Sequence, residues 1–100
     1  MANAFYSGSI TIDSDGAVAT KAVKVAYIVY TPAASGDSLL LYDHASSGSN
    51  LKLTLKGATA NNSMFFDFSN KPLSFANGIY ADITASGTAT LILTSEGAST

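Results

Sequence analysis

The chain has 100 residues and a formal net charge of −2; 47% of its residues are hydrophobic and only 12% are charged. All five cations are lysines, and because arginine is the usual reader of phosphates and guanine edges, no nucleic-acid partner is expected. Cysteine is absent, which excludes a disulfide framework, a thiolate metal site and a cysteine nucleophile. The charged fraction is about half the usual share of roughly 25%. Either a neutral surface rich in serine, threonine and asparagine or burial of surface in an assembly explains it.

The length predicts a single domain over residues 1–100, with frayed ends at about 1–4 and 96–100. The longest apolar run, VKVAYIVY at 23–30, is far shorter than the roughly 18 residues of a membrane-spanning helix. No membrane partner is therefore expected.

The first apolar runs alternate with a period of two, which predicts strands. A strand over 5–12 is followed by DSDG at 13–16, which opens like a calcium loop. The pattern then fails, because Ala17 and Lys24 stand where the fifth and twelfth ligands would be, so a β-turn is predicted. AVATKAVKVA at 17–26 contains alanines and lysines that suit a helix, but Val23, Val25, Tyr27 and Val29 alternate, so a strand over 19–30 is predicted.

The stretch LYDHASSGS at 41–49 holds the only histidine, next to an aspartate and ahead of three serines, which are the residue types of a hydrolase triad. Adjacent residues of a strand point to opposite faces, so Asp43 and His44 cannot bond to each other as a triad requires. No G-x-S-x-G elbow accompanies the serines. We predict a polar hairpin turn in which Asp43 and the serines bond to nearby backbone groups. No catalytic residue, cofactor or metal site is assigned.

The second half of the chain repeats the period of two. LKLTLKG at 51–57 places its leucines on one face and its lysines on the other, and MFFDFS at 64–69 and IYADIT at 79–84 alternate in the same way. Short turns rich in glycine and asparagine separate these runs. The predicted fold class is all-β: a single antiparallel β-sandwich of about eight strands, jelly-roll-like. The predicted strands cover residues 5–12, 19–30, 38–44, 51–56, 64–69, 72–76, 79–85 and 89–95.

Two strands, VAYIVY at 25–30 and LLLY at 39–42, are apolar on both faces, although only one face of a sandwich strand packs on the core. The second face is either covered by a loop or terminus or lies in a subunit interface, where tyrosine and phenylalanine are common. The candidate interface residues are Ile28, Tyr30, Leu40, Tyr42, His44, Phe65 and Tyr80. The predicted core consists of Val25, Tyr27, Val29, Leu39, Leu41, Leu51, Leu53, Leu55, Met64, Phe66, Phe68, Ile79, Ile83, Leu91 and Leu93.

The order of strands and turns carries a family resemblance. AYIVYT is followed by a small-residue turn, LLLYD, a short turn and LKLTL. A segment of the form F-x-x-P-L-x-F-x-N-G-I-Y-A, here Phe68 to Ala81 in looser spacing, and a T-x-T-L strand complete the series. This order resembles small β-sandwich virion proteins of tailed phages. The resemblance covers roughly residues 22–94 and contains no catalytic landmark.

The resemblance implies a non-enzymatic virion component, such as a capsid cement or decoration protein or a small tail or neck accessory. It implies the major capsid protein or another virion protein as partner, a homo-oligomer with a trimer favoured, and the virion as location after synthesis in the host cytoplasm. The alternative function is a glycan- or receptor-binding module of the adhesin or tail-fibre type. In that case the tyrosines and Phe65 would supply the aromatic platforms.

Overall fold

Nine β-strands make up the described part of the computed structural model, which comprises residues 8–57, 59–84 and 87–94. They form two antiparallel sheets, and the described residues contain no helix. The predicted all-β sandwich is confirmed, whereas the predicted frayed ends at 1–4 and 96–100 lie outside the described residues. The strands are β1 (Gly8–Ile12), β2 (Gly16–Ala19), β3 (Val23–Thr31), β4 (Ser38–Tyr42), β5 (Leu51–Lys56), β6 (Met64–Asp67), β7 (Leu73–Phe75), β8 (Ile79–Ile83) and β9 (Thr88–Thr94).

Strand pairing gives the sandwich the order of a jelly roll. The first sheet has the order β1-β9-β3-β6, with β7 also pairing with β3, and the second sheet has the order β2-β8-β4-β5. Early strands pair with late ones, β1 with β9, β2 with β8 and β3 with β6 and β7, while β4 and β5 pair with each other. A long antiparallel ribbon rolled over itself produces this order, because successive pairs of the ribbon then lie in alternate sheets.

The core lies between the two sheets and is built from the inward side chains of alternating strands. Leu39 and Leu41 of β4 are fully buried and lie opposite Ile83 and Ala81 of β8. Burial is confirmed for the predicted core residues Val25, Leu39, Leu41, Leu55, Ile79, Ile83, Leu91 and Leu93. Four further predicted core residues, Leu53, Met64, Phe66 and Phe68, are half-buried and pack against this core.

The segment predicted as one strand over 19–30 consists of two strands in different sheets. β2 ends at Ala19, β3 begins at Val23, and residues 20–22 between them are exposed. Face-to-face sheets lie about 10 Å apart, so a chain that crosses between them leaves a few residues outside both ladders. No glycine or proline marks this crossing, which is why the sequence indicates a continuous strand.

A β-bulge interrupts β3 and exchanges its two faces. In the ladder with β9, Val25 and Tyr27 face consecutive β9 residues, so Ala26 is an extra residue in β3. Successive side chains along a strand point to opposite faces. One inserted residue therefore turns every later side chain to the other face.

The bulge corrects the predicted inward face of β3. Ile28 and Tyr30, predicted to face a partner, point into the core and are both 0% exposed. Tyr27 and Val29, predicted for the core, lie on the outer face and are half-buried. Both predictions are wrong for the same reason, the extra residue Ala26.

A second bulge corrects the position of Leu51. Tyr42 lies opposite Leu51, but the preceding Leu41 lies opposite Leu53, so Lys52 is an extra residue in β5. Leu51 therefore points outward and is 56% exposed instead of joining the core. The three leucines of LKLTLKG do not share a face.

The core contains a buried hydroxyl, that of Tyr30, for which the described residues offer no hydrogen-bond partner. Burial raises the pKa of Tyr30, and the carboxylate of Asp37 raises this pKa further. Asp37 is itself buried, and its Oδ2 accepts the Ala34 N–H at 3.0 Å. A neutral Tyr30 hydroxyl is thus held in the core, and no bond from the described residues offsets its lost hydration.

Candidate interaction surfaces

The loop after β4 contains the triad-like stretch, and His44 forms hydrogen bonds within this loop. The backbone N–H groups of Ser46 and Ser47 both point at Nδ1 of His44, each at 3.1 Å. For both contacts to be hydrogen bonds, Nδ1 must be unprotonated and act as the acceptor. The Ser47 hydroxyl lies 3.4 Å from the same nitrogen, whose lone pair already faces these two donors.

Asp43 points away from His44 and ties this loop to another. Its Oδ1 accepts the backbone N–H of Asn77, in the turn between β7 and β8, at 2.8 Å. Its own N–H donates to the Asn50 carbonyl oxygen at 2.9 Å and closes the β4–β5 loop. The predicted separation of Asp43 and His44 agrees with these contacts, but the predicted local cap is made by His44, while the Asp43 carboxylate reaches across the fold.

Removing the Asp43 carboxylate should therefore loosen two loops without touching the core. We expect Asp43→Ala to lower the free energy of unfolding by about 1 kcal/mol, the usual size of one hydrogen bond. Asp82→Ala is the control, because Asp82 is exposed on β8 and its loss should change stability by less than about 0.5 kcal/mol. Urea unfolding of the three proteins measures both values, and equal effects would show that the Asp43–Asn77 contact contributes nothing.

The outer face of the first sheet carries a connected apolar patch, the aromatic face, formed by Tyr27, Val29, Phe65 and Ile92. Pairing sets Val29 opposite Phe65 on β6 and Tyr27 opposite Ile92 on β9. The rings of Tyr27 and Phe65 stack, with centroids 5.5 Å apart and planes 22° from parallel. Phe65 is 63% exposed. Tyr27, Val29 and Ile92 are half-buried around it, and a contiguous apolar patch on an outer face is typical of an interaction site.

Hydroxyl side chains surround the aromatic face. The outward positions beside it are Ser9, Thr11, Thr31, Ser63, Thr88 and Thr90. Charge is confined to one end, where Lys24 and Asp67 lie. The hydroxyl and the backbone N–H of Ser69 donate to the Asp67 carboxylate and lower its pKa, so this rim position is ionised at neutral pH.

The outer face of the second sheet is apolar as well, but a loop covers part of it. Tyr42 and Tyr80 lie opposite each other on β4 and β8, with ring centroids 6.3 Å apart in an edge-on arrangement. Gly48 packs so closely on the Tyr42 ring that an added Cβ would lie 3.5 Å from it. Leu40 is half-buried beside this pair, and Leu51 is the large apolar side chain that stays most exposed here.

The seven candidate interface residues thus lie in four different parts of the fold. Ile28 and Tyr30 belong to the core, and Phe65 lies on the aromatic face. The second sheet's outer face and the loop after β4 hold the other four, which are Leu40, Tyr42, Tyr80 and His44. Sequence reasoning missed Tyr27, Val29 and Ile92 as surface residues, because VAYIVY is apolar in both phases and its pattern does not choose between them.

A cleft of about 200 Å³ opens at one side of the sandwich, between the edge strands β1 and β2. Ile10 and Val18 line it and are half-buried, while Asp13 and Asp15 lie in the turn that joins the strands. Oδ1 of Asp15 accepts the Ile83 N–H at 2.8 Å, which fastens this turn to β8. The chain bends at Ser14 and Asp15 between β1 and β2, where the sequence predicts a β-turn.

The described residues bring together no group of three or more His, Cys, Asp or Glu side chains that could hold a metal ion. Within the same part of the chain, no helix is long and apolar enough to cross a membrane. Comparison with protein-family models, curated proteins and solved structures finds no match to this chain.

Proposed function

We propose that this chain is a non-enzymatic structural protein of a phage virion that docks on a shell subunit through the aromatic face. The observation that carries the proposal is the exposed Phe65 ring, stacked on the half-buried Tyr27 with Val29 and Ile92 beside them. An aromatic and apolar centre within a polar rim, here charged only at the end with Lys24 and Asp67, is the arrangement of protein–protein interfaces, and aromatic anchors often supply most of their binding energy.

The virion setting of this proposal rests on the resemblance of residues 22–94 to small β-sandwich virion proteins. The proposed partner is the major capsid protein or another virion protein, and the proposed role is cement or decoration of the particle. Copies of the chain associate, with a trimer favoured, after synthesis in the host cytoplasm. A low charged fraction and a patch that water would otherwise cover both support burial of this surface in an assembly.

Phe65→Ser should weaken binding to the particle by roughly thirtyfold or more, because an aromatic anchor contributes about 2 kcal/mol or more at such an interface. Leu51→Ser is the matched control, since Leu51 is 56% exposed on the opposite sheet and should lose less than about threefold. The measurement is binding of each purified protein to phage particles produced without it, with the melting temperature of the particle as a second readout.

The outcomes of this experiment separate the roles. Binding that raises the melting temperature supports a cement protein, and binding without that rise supports a decoration protein. Equal losses for the two variants would place the docking surface elsewhere, and absence of binding by the unaltered chain would contradict the proposal.

A glycan- or receptor-binding module is the second candidate, because the exposed Phe65 ring could also receive a sugar face. A glycan array with the unaltered chain and Tyr27→Ala tests it. Specific sugar binding that this substitution abolishes would favour the second candidate over the virion proposal.

A further inference from the structure

In the described part of the chain the two sheets end in four edges, and two of these edges offer a strand of five or more residues. β2 has four residues and a bulge, and the edge beside β3 is divided between β6 with four residues and β7 with three. β1 has five residues, and β5 has six, with Lys52 as an extra residue near its start. β1 contains no charged residue and no proline, and it pairs with β9 without a bulge. Charges, prolines and bulges usually block a sheet edge, and no strand of the described residues pairs with the outer edge of β1, so this edge can receive a further strand. β5 carries two lysines and a bulge, so its edge favours a partner of complementary charge.

Inward apolar side chains are incompletely buried at both of these edges. Ile10 of β1 points to the core side but is only half-buried, because it borders the cleft beside β2. Leu53 of β5 lies opposite the buried Leu41 and is also only half-buried. A strand added at either edge would cover the apolar side chain there and remove it from water.

The charges at the two edges are opposite. β1 leads directly into the turn that contains Asp13 and Asp15, and Asp13 is exposed. β5 carries Lys52 and Lys56, both exposed, and no acidic residue. Antiparallel pairing of two β5 strands would set lysines against lysines, which is unfavourable. The lysines of β5 instead complement the acidic end of β1.

We propose that copies of this chain join head to tail, with the free edge of β5 in one copy pairing antiparallel with the free edge of β1 in the next. In this arrangement the half-buried Leu53 of one copy lies opposite the half-buried Ile10 of its neighbour. Lys52 then lies opposite Thr11, and Asp13 is its diagonal neighbour just beyond the end of β1. Two different surfaces meet in such a contact, and repetition gives a closed ring when the rotation between copies closes, as in the proposed trimer, and an open filament when it does not. The inference specifies the self-association named in the proposed function and does not require docking on a shell.

Light scattering coupled to size-exclusion chromatography of the purified chain tests the pairing. The unaltered chain should show a multiple of the 10.2 kDa monomer mass. Asp13→Lys and Lys52→Glu should each weaken self-association by about fivefold or more, because each sets like charges side by side. The double variant Asp13→Lys/Lys52→Glu exchanges the charges and should recover association to within about twofold of the unaltered chain.

Asp82→Lys and Lys71→Glu are the matched controls, since both residues are exposed outside these edges and their reversal should leave the mass unchanged. Melting temperatures of all variants check that each remains folded. A monomer at high micromolar concentration would overturn the inference, as would single charge reversals that keep the oligomer intact or a double variant that fails to restore it. Because no particle is present, these outcomes are independent of the docking experiment.

Discussion

Replacing Tyr30 with phenylalanine should leave the free energy of unfolding unchanged or raise it by up to about 1 kcal/mol, whereas Tyr30→Ala should lower it by about 3–5 kcal/mol. The ring is 0% exposed in the core, so its removal leaves a large cavity. The hydroxyl, by contrast, is buried without a bond among the described residues, so its removal ends a desolvation penalty. Urea unfolding of the three proteins measures both differences. A loss above about 1 kcal/mol in Tyr30→Phe would show that the hydroxyl has a partner, such as a buried water.

The unaltered chain and Tyr30→Phe should differ in how their stability changes with pH in alkaline solution. Burial and then the Asp37 carboxylate raise the pKa of Tyr30 above its ordinary value of 10.0 in the folded state. Between these two pKa values the unfolded chain has released the tyrosine proton and the folded chain retains it, so stability falls as the pH rises. Tyr30→Phe removes this group, and its stability should therefore fall less steeply above about pH 10. Identical slopes for the two proteins would contradict the assignment.

Gly78→Ala should be the most damaging small substitution in the described chain, with an expected loss of about 3–5 kcal/mol. Gly78 has a φ of 123°, which side chains rarely adopt. An added Cβ would also overlap the carbonyl oxygen of Ala19 at the end of β2 and lie 3.3 Å from the Cα of Ala45. These are backbone atoms, so they cannot swing away as a flexible side chain would.

Gly16→Ala separates backbone strain from steric overlap, the two contributions to the stability loss expected for Gly78→Ala. Gly16 has a φ of 142°, but no atom lies within 4 Å of an added Cβ. The substitution should therefore incur only backbone strain, about 1–3 kcal/mol. If chemical denaturation gives equal losses of unfolding free energy for the two substitutions, the close approach of Gly78 to Ala19 and Ala45 has no energetic effect.

The loop after β4 shows how far local reasoning reaches. The sequence predicts a strand to residue 44, but β4 ends at Tyr42, so strand alternation does not apply to Asp43 and His44. The two side chains instead have different partners, the Ser46 and Ser47 backbone for His44 and the Asn77 backbone for Asp43. The partner of Asp43 could not be predicted, because Asn77 lies 34 residues later and meets it only when β7 and β8 fold back. The fold class followed from the period of two and the spacing of turns, since both are local properties of the chain.

The sequence by itself determined an all-β chain, most of its strands and the leucines of β4 as core residues, because period and turn chemistry act over a few neighbouring residues. Only the tertiary structure decided which face of β3 meets the core. VAYIVY is apolar in both phases, so burial energy alone does not distinguish them, and the extra residue Ala26 in the ladder with β9 made the choice. It buried Ile28 and Tyr30 and turned Tyr27 and Val29 outward. Because Phe65 lies opposite Val29, that one inserted residue created the aromatic face.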